Sequence, residues 1–158
     1  MKVFEKFGYL FNSESSPNTL LKNLKTFPLI VFLLSNLAYL PVLLNVKNVE
    51  FIIILLVFVA STFYHTVQVF SRNSKDTKSC RKCCGCMYLD MLLASIAGFF
   101  ILIKYRKKIN TKIIVLAIIS LIIFASHWIH PFSNGYYYLY LHSIWHITTA
   151  MIAYLLVV

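Results

Sequence analysis

The chain has 158 residues, of which 59% are hydrophobic and only 13% charged, against about a quarter charged in an ordinary soluble domain. Its formal charge of +10 comes from 15 Lys and Arg against 5 Asp and Glu. These basic residues sit between apolar runs, as the flanks of membrane helices do, and form no nucleic-acid-binding stripe. Soluble enzyme, nucleic-acid-binding domain and disordered tail are therefore set aside, and the chain reads as an all-α integral membrane protein with no nucleic-acid partner.

Residues 1–26 are expected to form an interfacial segment ahead of a transmembrane domain over 27–158. Val3, Phe4, Phe7, Leu10 and Phe11 recur at helical spacing, with Lys2, Glu5 and Lys6 on the other face, which predicts a short helix lying on the membrane. Residues 13–18, with Pro17, read as a linker. A cleaved signal peptide is not expected: the first apolar run starts late, is long enough to span, and lacks a small-residue cleavage site.

Five apolar runs predict a bundle of about five transmembrane helices, at 27–45, 50–70, 86–104, 112–130 and 136–158. The runs are continuous, not alternating, which speaks against a β-barrel. Pro28 and Pro41 fall near the ends of the first run, where they disturb few backbone hydrogen bonds. Cys80, Cys83, Cys84 and Cys86 crowd the connection between the second and third runs. Palmitoylation is the first reading of these thiols, and disulfides follow if that connection is luminal. A zinc finger is disfavoured because no second C-x2-C follows. Lys75, Lys78, Arg81 and Lys82 beside them suit an anionic headgroup or a plain solvated loop.

Lys104, Arg106, Lys107 and Lys108 stop the third run. His130-Pro131 ends the fourth, and Ser133-Asn134-Gly135 supplies a turn. Tyr136, Tyr137, Tyr138 and Tyr140 then mark re-entry as an aromatic belt. Lys and Arg number nine on the side of the N-terminus and six on the other, so a cytosolic N-terminus is expected, in the plasma membrane or an endomembrane.

Ionisable side chains in lipid are costly and mark function. All five histidines, His65, His127, His130, His142 and His146, fall in or at the ends of runs, and Asp90 is the one acidic residue inside a run. His65 ends the second crossing, Asp90 begins the third, and His142 and His146 begin the fifth, so all four reach the same membrane side. His142 and His146 are at i and i+4, on one helical face. With His65 they offer three imidazoles, leaving a fourth tetrahedral position for water, as in a catalytic zinc site. Zinc would lower the pKa of that water toward about 7. Asp90 suits a general base and acid. Ser61, four residues before His65, suits a group that holds the water or the developing oxyanion. A histidine inside a span is also commonly a hydrogen-bonded packing residue. His127 and His130, beside Trp128, read as interfacial.

Ser61-Thr-Phe-Tyr-His65, Leu89-Asp90-Met91 and His142-Ser-Ile-Trp-His146 together resemble the CREST superfamily of alkaline ceramidases, progestin and adipoQ receptors and myomaker-like proteins. Phe63-Tyr64-His65 and the stretch from His142 to Ala150-Met151 are most similar to its myomaker and transmembrane-protein-8 branch. The resemblance implies zinc on His65, His142 and His146, with Ser61 and Asp90 around the water. For the enzymatic branches it implies hydrolysis of a lipid amide or ester. Alkaline ceramidases carry Asp-Glu at the third-helix motif, where this chain has Asp90-Met91. The family fold has seven helices, so five would be a reduced form; loss of two between the third and last preserves parity.

Two further functions stay open on the sequence: a non-enzymatic, receptor-like or myomaker-like protein with a structural intramembrane zinc, and a bis-histidine haem protein. In every case but the last, the expected partner is a membrane lipid.

Overall fold

The computed structural model describes residue 21 and residues 24–71, 77–129 and 135–158. The interfacial helix expected in residues 1–26 falls almost wholly outside them, as does the turn at 130–134. The described residues are helical, with no strand among them. In chain order they form α1 (Thr26–Leu34), a 3-10 segment (Ser35–Tyr39), α2 (Leu40–Asn45), α3 (Asn48–Phe70), α4 (Thr77–Lys104), a short 3-10 turn (Arg106–Lys108), α5 (Thr111–Ile129) and α6 (Gly135–Val157).

Four stretches are long and apolar enough to cross a membrane: Thr26–Asn45, Asn48–Phe70, Gly85–Lys104 and Tyr136–Val157. The fourth expected crossing, 112–130, corresponds to α5, whose apolar stretch among the described side chains is Thr111–Ser126. The third expected span, 86–104, is the end of a longer helix that begins at Thr77. The backbone that carries Cys80, Cys83, Cys84 and Cys86 is therefore helical instead of a loop.

The first span changes helix type from within, at the 3-10 segment Ser35–Tyr39. Pro41 sits in the first turn of α2 and brings no N–H to the carbonyl four residues back, that of Leu37. That carbonyl instead takes the N–H of Leu40, the tighter i to i+3 pattern of a 3-10 turn. Asn48 adopts φ 56° at the start of α3, a left-handed conformation that asparagine tolerates. Asn110 accepts the Ile113 N–H at 3.2 Å, capping α5.

α4 packs on α3, α5 packs on α6, and the first span lies against both α3 and α6, joining the two pairs. The inward stripes are periodic: Ile54, Val57, Ser61, His65 and Gln68 on α3; Asp90, Ala97 and Ile101 on α4; Leu139, His142, His146, Ala150, Ala153 and Leu156 on α6. Each recurs at three-, four- or seven-residue steps, as one helical face requires. One end of the interior is apolar, with Val42, Leu43, Val46, Ile54, Ile101, Ile113, Ala153 and Leu156 in one cluster. Toward the other end the buried polar side chains His65, Gln68, Asp90, His142 and His146 lie beside a second apolar cluster that includes Leu29, Phe32, Val69, Tyr138 and Leu139. Outward faces carry exposed apolar residues such as Phe27, Leu44, Leu56, Phe99, Leu121 and Ile147. Buried polar groups within apolar outer faces are the arrangement that lipid surroundings demand, consistent with an α-helical membrane bundle.

At the apolar end, Glu50 is buried and pairs with Lys104, while Tyr105 donates to the same carboxylate oxygen at 3.3 Å. This joins the start of α3 to the end of α4. The partners are unequally exposed: the Lys104 side chain is 44% accessible and that of Glu50 only 10%. Without Glu50 the lysine swings to water, whereas without Lys104 a buried carboxylate is stranded. Lys104→Met should lower unfolding stability in detergent by about 2–3 kcal/mol, and Glu50→Gln by about 1 kcal/mol or less. Denaturant titration of the two variants checks the asymmetry.

Candidate metal centre

His65 lies near the C-terminal end of α3, and His142 and His146 in the first half of α6. The antiparallel course of these helices brings the three to one level. His65 Nε2 is 3.2 Å from His146 Nε2 and 3.2 Å from His142 Nε2, and all three imidazoles are buried. One ligand atom from each lies within 4.8 Å of the others.

The tautomers decide what this cluster can be. Gln68 Oε1 lies 3.2 Å from His65 Nδ1. A carbonyl oxygen only accepts, so Nδ1 carries the proton and Nε2 presents its lone pair. One in-plane lone pair cannot take good hydrogen bonds from two imidazoles at once. A metal ion resolves the crowding. Two nitrogen ligands about 2.05 Å from a tetrahedral ion stand about 3.3 Å apart, close to the two observed separations. The donor set, three neutral imidazoles in a buried pocket, suits a first-row divalent cation.

Gln68 is also held: its Nε2 donates to the Tyr138 hydroxyl at 3.3 Å, and Tyr138 is one turn before His142. Metal-binding histidines commonly donate their second N–H to such a carbonyl. Aromatic rings complete the enclosure. Phe32 meets His65 edge-on at 4.5 Å and His142 at 5.5 Å, and Trp145 meets His146 at 5.3 Å. The surroundings are therefore dry and stiff.

Ser61 lies one turn before His65, is buried, and donates to Asn36 Oδ1 at 3.0 Å. Asp90, buried on the inward stripe of α4, sits beside the Ser61 hydroxyl and within electrostatic reach of Tyr39. All five residues singled out in the sequence, Ser61, His65, Asp90, His142 and His146, thus face one interior region. The side chains of His127 and His130 lie outside the described residues.

Sequence reasoning missed Gln68, Asn36, Tyr39 and Phe32. Gln68 and Asn36 carried a readable signal, since an uncharged amide inside an apolar run also needs a partner.

A cavity of about 140 Å³ adjoins the site between α3, α4 and α6. Tyr39, Trp145 and Thr149 border it on the histidine side, and Ala94, Ala97 and Gly98 form its wall on α4. A larger open depression of about 600 Å³, bordered by residues 103–108, lies at the other end of α4. It is about 20 Å along the helix axis from Asp90, too far to serve the same chemistry.

No protein-family model, curated protein or solved structure matches the chain.

The centre should take up about one metal ion per chain, and His65→Ala, His142→Ala and His146→Ala should each reduce that below about a tenth. Gln68→Leu should retain the site and weaken metal affinity about 10–100-fold. Elemental analysis and chelator competition on the purified protein check both.

Proposed function

We propose that the chain is a membrane-embedded zinc hydrolase that cleaves an acyl amide or ester bond of a membrane lipid. The observation that carries this reading is the convergence of three imidazoles at metal-ligand spacing with Asp90 and Ser61 beside them. The motifs around these same residues, which resemble those of the CREST superfamily, point the same way, and on that resemblance the chain would be a reduced relative.

His65, His142 and His146 would hold the ion through Nε2. When bound, zinc supplies Lewis acidity that makes a water nucleophilic near neutral pH. The chain's other groups handle protons and position. Ser61 has already given its one proton to Asn36, so it accepts from the water and fixes its orientation. Asp90 takes the water proton as oxygen attacks the acyl carbon. It returns that proton to the leaving nitrogen or oxygen as the carbon–nitrogen or carbon–oxygen bond breaks. The products are a fatty acid and an amine or alcohol, and the carboxyl ends the cycle in its starting state.

The lipid class follows from the surroundings. The exposed apolar faces suit lipid surroundings, and the neighbouring cavity offers apolar walls to an acyl segment. Water-soluble substrates would have to cross those faces to reach a buried site.

A second reading has its own observation. α3 and α6 meet through the histidines more than through close backbone packing. An ion there would also tie the two helix pairs together, as in a non-enzymatic, myomaker-like protein. Hydrolysis separates the two readings.

Asp90→Asn should lower turnover at least about 100-fold while metal content stays at the wild-type level. Mass spectrometry of a panel of lipid amides and esters incubated with both proteins measures this. Unchanged turnover in Asp90→Asn contradicts the assigned proton carrier; no cleavage by the metal-loaded wild type favours the structural reading.

A further inference from the structure

The first span supplies no metal ligand, yet it presents one face to the histidines. Phe32 packs edge-on against His65 and His142, and Tyr39 stands edge-on to His146 at 6.3 Å. Asn36 lies between them, four residues after Phe32 and three before Tyr39, so it shares their face. The 3-10 turn forced by Pro41 holds this part of the span.

Asn36 is 1% exposed. Its Oδ1 is occupied by the Ser61 hydroxyl at 3.0 Å. Its Nδ2 is buried and donates to no protein atom. An amide that leaves its N–H groups unused in a dry interior is costly, and such groups are retained where a ligand uses them. Ser61 cannot fill the same role, because its only proton is spent on Asn36.

We propose that Asn36 is a catalytic residue whose side-chain N–H donates to the substrate carbonyl oxygen as that oxygen gains negative charge. The assignment rests on the hydrolase reading above. It divides the work between two neighbours: Ser61 orients the water, and Asn36 stabilises the oxyanion. A donor fixed beforehand by a hydrogen bond at its other atom costs no reorganisation during the reaction.

Cobalt-loaded protein in detergent, titrated with acetohydroxamate as a carbonyl-bearing probe, tests this through its visible bands. Asn36→Asp keeps the acceptor for Ser61 and removes the N–H donor; Asn36→Ala removes both. The expected result is unliganded cobalt bands like the wild type, hydroxamate binding weakened at least about tenfold, and lipid kcat reduced about 100-fold or more with little change in KM. Asn36→Asp decides the matter if Asn36→Ala does not fold. Hydroxamate binding and kcat within about threefold of wild type in Asn36→Asp overturn the assignment. So do altered cobalt bands in the unliganded variant, which would make Asn36 a support for the ligands. A wild type that yields no cobalt bands overturns the metal reading and this assignment together.

Discussion

His65 Nε2 stands 3.2 Å from the Nε2 atoms of both His142 and His146, with all three rings buried, a spacing that suits a shared cation. Much of the surrounding structure serves to hold it. Gln68 fixes the His65 tautomer, Tyr138 fixes Gln68, and Phe32 and Trp145 wedge the rings. A cation would convert three crowded lone pairs into bonds and would bind most tightly where those lone pairs are already aimed. The same stiffness has a thermodynamic price in the metal-free protein, which the close helix packing of α3 with α4 and of α5 with α6 must offset.

The distribution of polarity along the bundle follows from the same demand. One half of the interior is apolar and is closed by Glu50, Lys104 and Tyr105; the other half gathers the histidines, Asp90, Ser61, Asn36 and Gln68. In lipid, apolar side chains gain little by moving inward, so helix association leans on packing and interior hydrogen bonds. Small residues do part of this work. Ala94, Ala97 and Gly98 on α4 border a cavity, and an added Cβ at Gly98 would meet nothing within 4 Å. Tyr39 and Trp145, which border that space, also stand edge-on to His146.

Much of this centre could be read from the residues alone. His65, Asp90, His142 and His146 stand out because each interrupts an apolar run, and the order of crossings already put them on one membrane side. Ser61 followed from its four-residue offset to His65. Asn36 and Gln68 escaped because an uncharged amide costs less in lipid than a charge and draws less notice, although both are almost wholly buried. The 3-10 segment at Ser35–Tyr39 was hidden because Pro41 near the end of an apolar run reads as harmless. Here it redirects the carbonyl of Leu37 and shapes the face that carries Asn36. The start of α4 at Thr77 was illegible for a different reason. Lysines, cysteines and Gly85 in that stretch give no apolar periodicity, so hydropathy saw only the part inside the membrane. The helical stretches over 26–45, 48–70, 111–129 and 135–157 begin and end within two residues of the apolar runs read in the sequence.

X-ray absorption at the zinc edge of the purified protein tests the central claim most directly. The account predicts a bound zinc with three imidazole nitrogens at about 2.0–2.1 Å and one further light oxygen ligand. Protein that carries no zinc, or zinc coordinated by sulfur at about 2.3 Å, would contradict it.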